Sequence, residues 1–113
     1  MPMVAEYVRD DGSNPYRAWF DSLDAQVAAK VAVAVALLEM GNTSSVKWMG
    51  AIGEYRIDWG PGYRIYLMRG GTEAIVLLEG GTKKGQQNDI ALARALAAEY
   101  KARKAAARPK HKR

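Results

Sequence analysis

The apolar positions fall first into a short extended pattern, Met3 to Val8, which the polar cluster Asp10-Asp11-Gly12-Ser13-Asn14 breaks as a turn. Asn14 followed by Pro15 supplies an N-cap and a first helical residue, which predicts a short helix carrying Tyr16, Trp19 and Phe20 toward Leu23. Asp24 can cap a second helix. In it Leu23, Val27, Val31, Val35 and Leu38 recur at steps of four and three, the stripe of one buried helix face, and Gly41-Asn42 can end it. Together these read as a strand followed by a helical hairpin.

After Thr43-Ser44-Ser45 the period changes to two. Val46 to Trp48 fits a short strand, and from Glu54 to Trp59 the charged Glu54, Arg56 and Asp58 alternate with Tyr55, Ile57 and Trp59, which predicts a half-buried strand with one polar face. Gly60-Pro61-Gly62 turns the chain into a strand from Tyr63 to Arg69, and Gly70-Gly71-Thr72 turns it again into an apolar strand from Ala74 to Glu79 that should lie centrally. Gly80-Gly81-Thr82-Lys83-Lys84-Gly85 reads as a flexible loop. Asn88-Asp89 then caps a last helix with Ile90, Ala93, Ala97 and Tyr100 on its buried stripe. Beyond Tyr100 the apolar anchors vanish, so that helix should fray before Pro109. The expected fold is α+β: an N-terminal strand, a helical hairpin, an antiparallel meander of three to four strands and a C-terminal helix, with the helices on one face of the sheet.

Composition narrows the chemistry. The 113 residues are about half apolar and a quarter charged, the balance of one globular domain. There is no cysteine, and the single histidine, His111, stands in a basic tail, which removes thiol, disulfide and histidine-based metal or triad chemistry. The longest apolar run, Val27 to Leu38, is interrupted by Lys30 and far below the roughly 20 residues of a membrane span. No secretory signal is read in the first ten residues, so a cytoplasmic protein without a membrane role is expected. The net charge of +5 is uneven: residues 101–113 hold seven cations and no anion, and the rest of the chain is slightly acidic. The division expected is a domain over residues 1–104 and a mobile basic tail over 105–113.

Candidate chemistry then rests on cations. Arg56 projects from the polar face of its strand, and Arg64 and Tyr66 share the parity opposite to Tyr63, Ile65 and Leu67, hence away from the core. Lys83 and Lys84 follow the next strand near the same sheet edge, where flanking glycines would let them close as a mobile phosphate clamp. Guanidinium groups hold phosphate bidentately and stabilise charge developing on phosphorus, while an aromatic ring stacks on a base. The ordinary role of such arginines is a surface ion pair, here with Asp58 or Glu54. Trp19, Trp48 and Trp59 read as core or interface anchors.

The set Trp19-Phe20-Asp21-Ser22-Leu23, Gly53-Glu54-Tyr55-Arg56-Ile57, Gly60-Pro61-Gly62-Tyr63-Arg64-Ile65-Tyr66, Gly80-Gly81-Thr82-Lys83-Lys84 and Gln87-Asn88-Asp89-Ile90 resembles the RelE/ParE toxin superfamily. Within it the likeness is greatest to the addiction module killer protein branch, near the HigB toxins, over about residues 3 to 100. The resemblance implies the toxin of a type II toxin–antitoxin system, silenced by a cognate antitoxin of helix-turn-helix type. It implies a ribosome-dependent, metal-free and cofactor-free endoribonuclease in which the mRNA 2′-hydroxyl attacks the adjacent phosphate. Arg64 matches the strand arginine that stabilises that phosphate, Arg56 a basic position on the preceding strand, and Lys83 and Lys84 the next catalytic cation. Arg64, Tyr66, Lys83 and Lys84 would then contact RNA. Gln86-Gln87-Asn88-Asp89 stands where ribonuclease members often carry a tyrosine or histidine, and Asp58 where some have a second lysine. Two alternatives follow: a non-catalytic ParE-like inhibitor of DNA gyrase, and a module that binds antitoxin or RNA without toxicity.

Overall fold

The computed structural model describes residues 3–71 and 74–107. Strand β1 (Met3–Glu6) leads into α1 (Pro15–Asp21) and α2 (Ala25–Glu39), then β2 (Val46–Met49), β3 (Ile52–Ile57), β4 (Tyr63–Arg69) and β5 (Ala74–Thr82). A single 3-10 turn, Lys83–Gly85, joins β5 to α3 (Gln86–Ala107). Both predicted caps of the hairpin are made: the Asn14 side chain accepts from the Arg17 N–H and the Asp24 side chain from the Val27 N–H, each satisfying a donor the first turn leaves free. The fold is the expected α+β arrangement.

The sheet order is β1-β5-β4-β3-β2, with β2 to β5 an antiparallel meander and β1 parallel to β5 at the edge. Helices cover both of its faces, not one. Val27, Val31 and Leu38 of the hairpin pack on Ile65, Leu67, Ile75 and Leu77. On the other side Ala93, Leu96 and Ala97 of α3 pack on Ile52, Tyr66, Met68, Val76 and Leu78. The correction has a simple cause: β4 is buried along nearly its whole length, so both parities of its side chains need a cover. The polar parity of β3 and β4 is thereby turned from solvent into an interior.

Three boundaries also move. β5 continues through Gly80 and Gly81 to Thr82, so the expected flexible loop is strand followed by a 3-10 turn. A Cβ on Gly80 would lie 2.2 Å from the Trp19 ring, and one on Gly81 only 1.9 Å from Asp89 Oδ2. The two glycines serve close packing on opposite faces rather than flexibility. The last helix starts at Gln86, ahead of the expected Asn88-Asp89 cap, and runs to Ala107, short of Pro109. Tyr100 meets Tyr7 edge to face at 5.7 Å, and Arg103 donates to the Tyr7 hydroxyl and the Val8 carbonyl and pairs with Asp10 at 3.0 Å. These contacts carry α3 to Ala107, into the stretch expected to be a mobile tail. Residues 108–113, with His111 and four of the seven cations of residues 101–113, and Thr72 of the expected turn lie outside the described residues.

Candidate phosphate-binding cleft

Register places two polar rows across the α3 face of the sheet. Glu54, Tyr66 and Glu79 lie opposite one another on β3, β4 and β5; Arg56, Arg64 and Gly81 form the next row toward the end of the sheet. Glu79 reaches this face through a bulge. Tyr66 pairs with Glu79 and Leu67 with Leu77, so Leu78 is an extra residue, and the alternation of β5 slips by one. The 3-10 turn and the first turns of α3 close over the inner row, where Gln86 Nε2 donates to Glu54 Oε2 at 2.9 Å.

Arg64 is buried, at 5% exposure, with its Nε 3.0 Å from Glu54 Oε2. The expectation of a solvent-accessible Arg64 is therefore corrected, and its partner is buried Glu54, not Asp58. The contact is an ion pair without hydrogen-bond alignment at Nε. Tyr66 has no exposed surface and cannot stack on a base, which corrects its expected RNA-binding role. Its hydroxyl and Glu79 Oε2 are buried without a protein hydrogen-bond partner. Burial pushes the Tyr66 phenol above its ordinary value, and the carboxylates around it add to the effect. Burial, reinforced by Asp89, pushes the Glu79 carboxyl up to about 8, and burial also raises Asp89. A carboxyl that titrates near neutrality thus exists, sealed beneath α3.

The outer row opens to solvent. Arg56, Arg64 and Lys83 border one small cleft of about 200 Å³ whose other wall is the Gly60-Pro61-Gly62 turn. The β3–β4 hairpin, which pairs Arg56 with Arg64, and the turn after β5 bring those cations together. No ion pair among the described residues engages Arg56 or Lys83. Lys84 is exposed on the same 3-10 turn but does not border the cleft. Tyr63 and Asp58 also border the cleft; from sequence Asp58 reads as an ion-pair partner and a departure from the family pattern, not as a site residue. Tyr63, the first residue of β4, is half-buried and packs against the hairpin-side core, as its shared parity with Ile65 and Leu67 predicts.

Among the described residues no three His, Cys, Asp or Glu side chains form a metal-holding group, and no helix is long and apolar enough to cross a membrane. The cleft is thus a cationic notch with one carboxylate, Asp58, on its rim, suited to a phosphate oxygen or another small anion.

No family model matches the chain. A Haemophilus influenzae (strain ATCC 51907 / DSM 11121 / KW20 / Rd) protein bearing the name "Uncharacterized protein" is 36% identical to it over 86 residues, covering 74% of this chain and 87% of its own. At that identity and coverage, the chain belongs to the same family as the Haemophilus influenzae protein.

Proposed function

We propose that this protein is the toxin of a type II toxin–antitoxin system, acting in the cytoplasm as a ribosome-dependent mRNA endoribonuclease. The observation that carries the reading is the convergence of Arg56 and Lys83, both without a described ion-pair partner, on either side of Arg64 in one cleft. The RelE/ParE-like order of elements supports it. In this reading Arg56 and Lys83 bind the non-bridging oxygens of the scissile phosphate, and Arg64, held in place by Glu54, faces the charge that develops on phosphorus. The 2′-hydroxyl oxygen bonds to phosphorus, the bond to the 5′-oxygen breaks, that oxygen takes a proton from solvent water, and the products are a 2′,3′-cyclic phosphate and a 5′-hydroxyl. In this reading the rim carboxylate of Asp58 takes the 2′-hydroxyl proton. Ribosomal RNA that preorganises the substrate can supply about 7–11 kcal/mol of the barrier by positioning. The cognate antitoxin is the expected partner, of helix-turn-helix type.

The test is induction of the protein followed by mapping of mRNA 5′ ends, with Arg56→Ala and Lys83→Ala each expected to lower cleavage about 10²-fold at equal expression. A second reading, a non-catalytic ParE-like inhibitor of DNA gyrase, is favoured by one feature: the near-neutral carboxyl, Glu79, is closed off from the cleft. Intact mRNA together with altered plasmid supercoiling would establish that reading instead. Growth without either effect would leave a module that binds its antitoxin or RNA and is not toxic.

A further inference from the structure

Helix α2 has an apolar face that the fold leaves uncovered. Its fifteen residues include only two charged ones, Lys30 and Glu39. Val27, Val31, Ala34 and Leu38 supply the buried stripe, yet the neighbouring face carries Ala29, Val33 and Leu37, with Val33 61% exposed. A surface helix ordinarily turns charged residues outward, and one that is apolar on more than one face belongs under a cover. α3 follows the ordinary pattern, with exposed Arg94, Lys101 and Lys104 on its outer side.

The sheet supplies the opposing wall. β2 pairs with β3 only as far as Tyr55, so Arg56 and Ile57 continue without an outer strand beside them. The missing neighbour leaves a trough of about 530 Å³ between α2 and β3, in which Ile57 and Trp59 face Val33 and Leu37. Two free strand residues are too few to register an added strand. The α2 wall from Gln26 to Leu37 runs about 17 Å, three turns of a second helix with apolar anchors at its i, i+3 and i+7 positions.

Charge chooses the occupant. Lys30 Nζ sits 5.2 Å from the centre of the Trp59 ring on the helix wall, and Arg56 stands on the sheet wall. No carboxylate is among the described residues bordering the trough. We propose that the α2–β3 trough docks an amphipathic helix of another protein, its apolar stripe on Val33, Leu37 and Trp59 and acidic side chains on both flanks facing Lys30 and Arg56. Arg56 borders the cationic cleft as well, so a docked helix extended past it brings an acidic end to Lys83. That consequence rests on the phosphate reading of the cleft; the docking does not.

The experiment uses the full chain and a synthetic alanine-based helix of about 17 residues with three leucines at the anchor spacing and glutamates flanking them. Control peptides carry lysine for glutamate, or the same residues scrambled. Titration followed by calorimetry is expected to give micromolar binding of the acidic helix alone, weakening as salt rises from about 0.05 to about 0.5 M. Val33→Glu, at an exposed site, should weaken it at least about tenfold, and Lys30→Glu should shift preference toward the lysine peptide. Circular dichroism of both variants checks that the fold persists. No binding, equal affinity for acidic and basic helices, or indifference to Val33→Glu overturns the proposal. A dimer of the wild-type protein that Val33→Glu dissociates also overturns it, because a second copy would then fill the trough. Since neither Val33 nor Lys30 borders the cleft, mRNA cleavage by these variants separates failure of the docking from failure of the proposed activity.

Discussion

On the hairpin face of the sheet, Ile65, Leu67, Ile75 and Leu77 meet Val27, Val31 and Leu38, a contact closed by apolar side chains. The other face is built on the same strands, yet the three buried charged residues among those described, Glu54, Arg64 and Glu79, all lie there. The first face gains its stability from area removed from water, which is non-directional and tolerant of detail. The second costs desolvation and recovers it only where partners meet in register, as Glu54, Arg64 and Gln86 do and Glu79 does not. The cationic cleft opens at the edge of this costlier face.

The largest expected effect comes from breaking the polar face at its paired group. Glu54→Ala leaves Arg64 buried without its counter-ion and should cost about 3–5 kcal/mol by urea unfolding. Replacing both residues with apolar ones of similar volume should recover most of that stability while removing the cleft's arginine. A Glu54→Ala loss under about 1 kcal/mol would mean that Arg64 finds water through the cleft and that the contrast between the faces is smaller than drawn.

Leu38→Ala is the matching test of the apolar face. It removes a fully buried side chain and should cost about 2–5 kcal/mol without altering the pH dependence of stability.

Glu79 gives the third test. Its folded pKa, about 8, lies above the ordinary value of 4.5, so between these the unfolded chain has released a proton that the folded chain keeps. Folding then takes up a proton, and stability falls as pH rises through that window and levels off above about 8. Glu79→Gln should flatten most of this slope and stabilise the protein at pH 8 by about 1–3 kcal/mol, with the residual slope due to Asp89. Thermal melts across the window measure it; a wild-type profile that rises with pH there would refute the assignment of Glu79 as a buried neutral acid.

The smallest effect is expected outside both faces. Arg17 pairs with Glu6 at the surface and lies over the Phe20 ring at 4.9 Å. Arg17→Met keeps the aliphatic stem on the ring and removes the charge, and should change stability by less than about 1 kcal/mol, vanishing in high salt.

The order of elements, both hairpin caps, an antiparallel meander of three to four strands and the face shared by Arg64 and Tyr66 were legible in the residues, because capping and alternation are local and repeat at a fixed period. So was the choice of Arg56 and Lys83 as cations near one sheet edge. Local period does not say what covers a face. The polar parity of β3 and β4 looked like solvent surface until α3 was seen to lie on it, and that one placement buried Arg64 and Tyr66 and turned Glu54 from a surface anion into a counter-ion. Nor does period reveal a bulge: the single extra residue Leu78 reverses the parity of β5, bringing Glu79 into the polar row and Gly81 under Asp89. The sequence by itself determined which segments form strands and helices, since those choices depend on neighbours along the chain. Only the tertiary structure decided which charges are buried, paired or exposed, since solvation is fixed by whatever element packs above a residue, however distant in sequence.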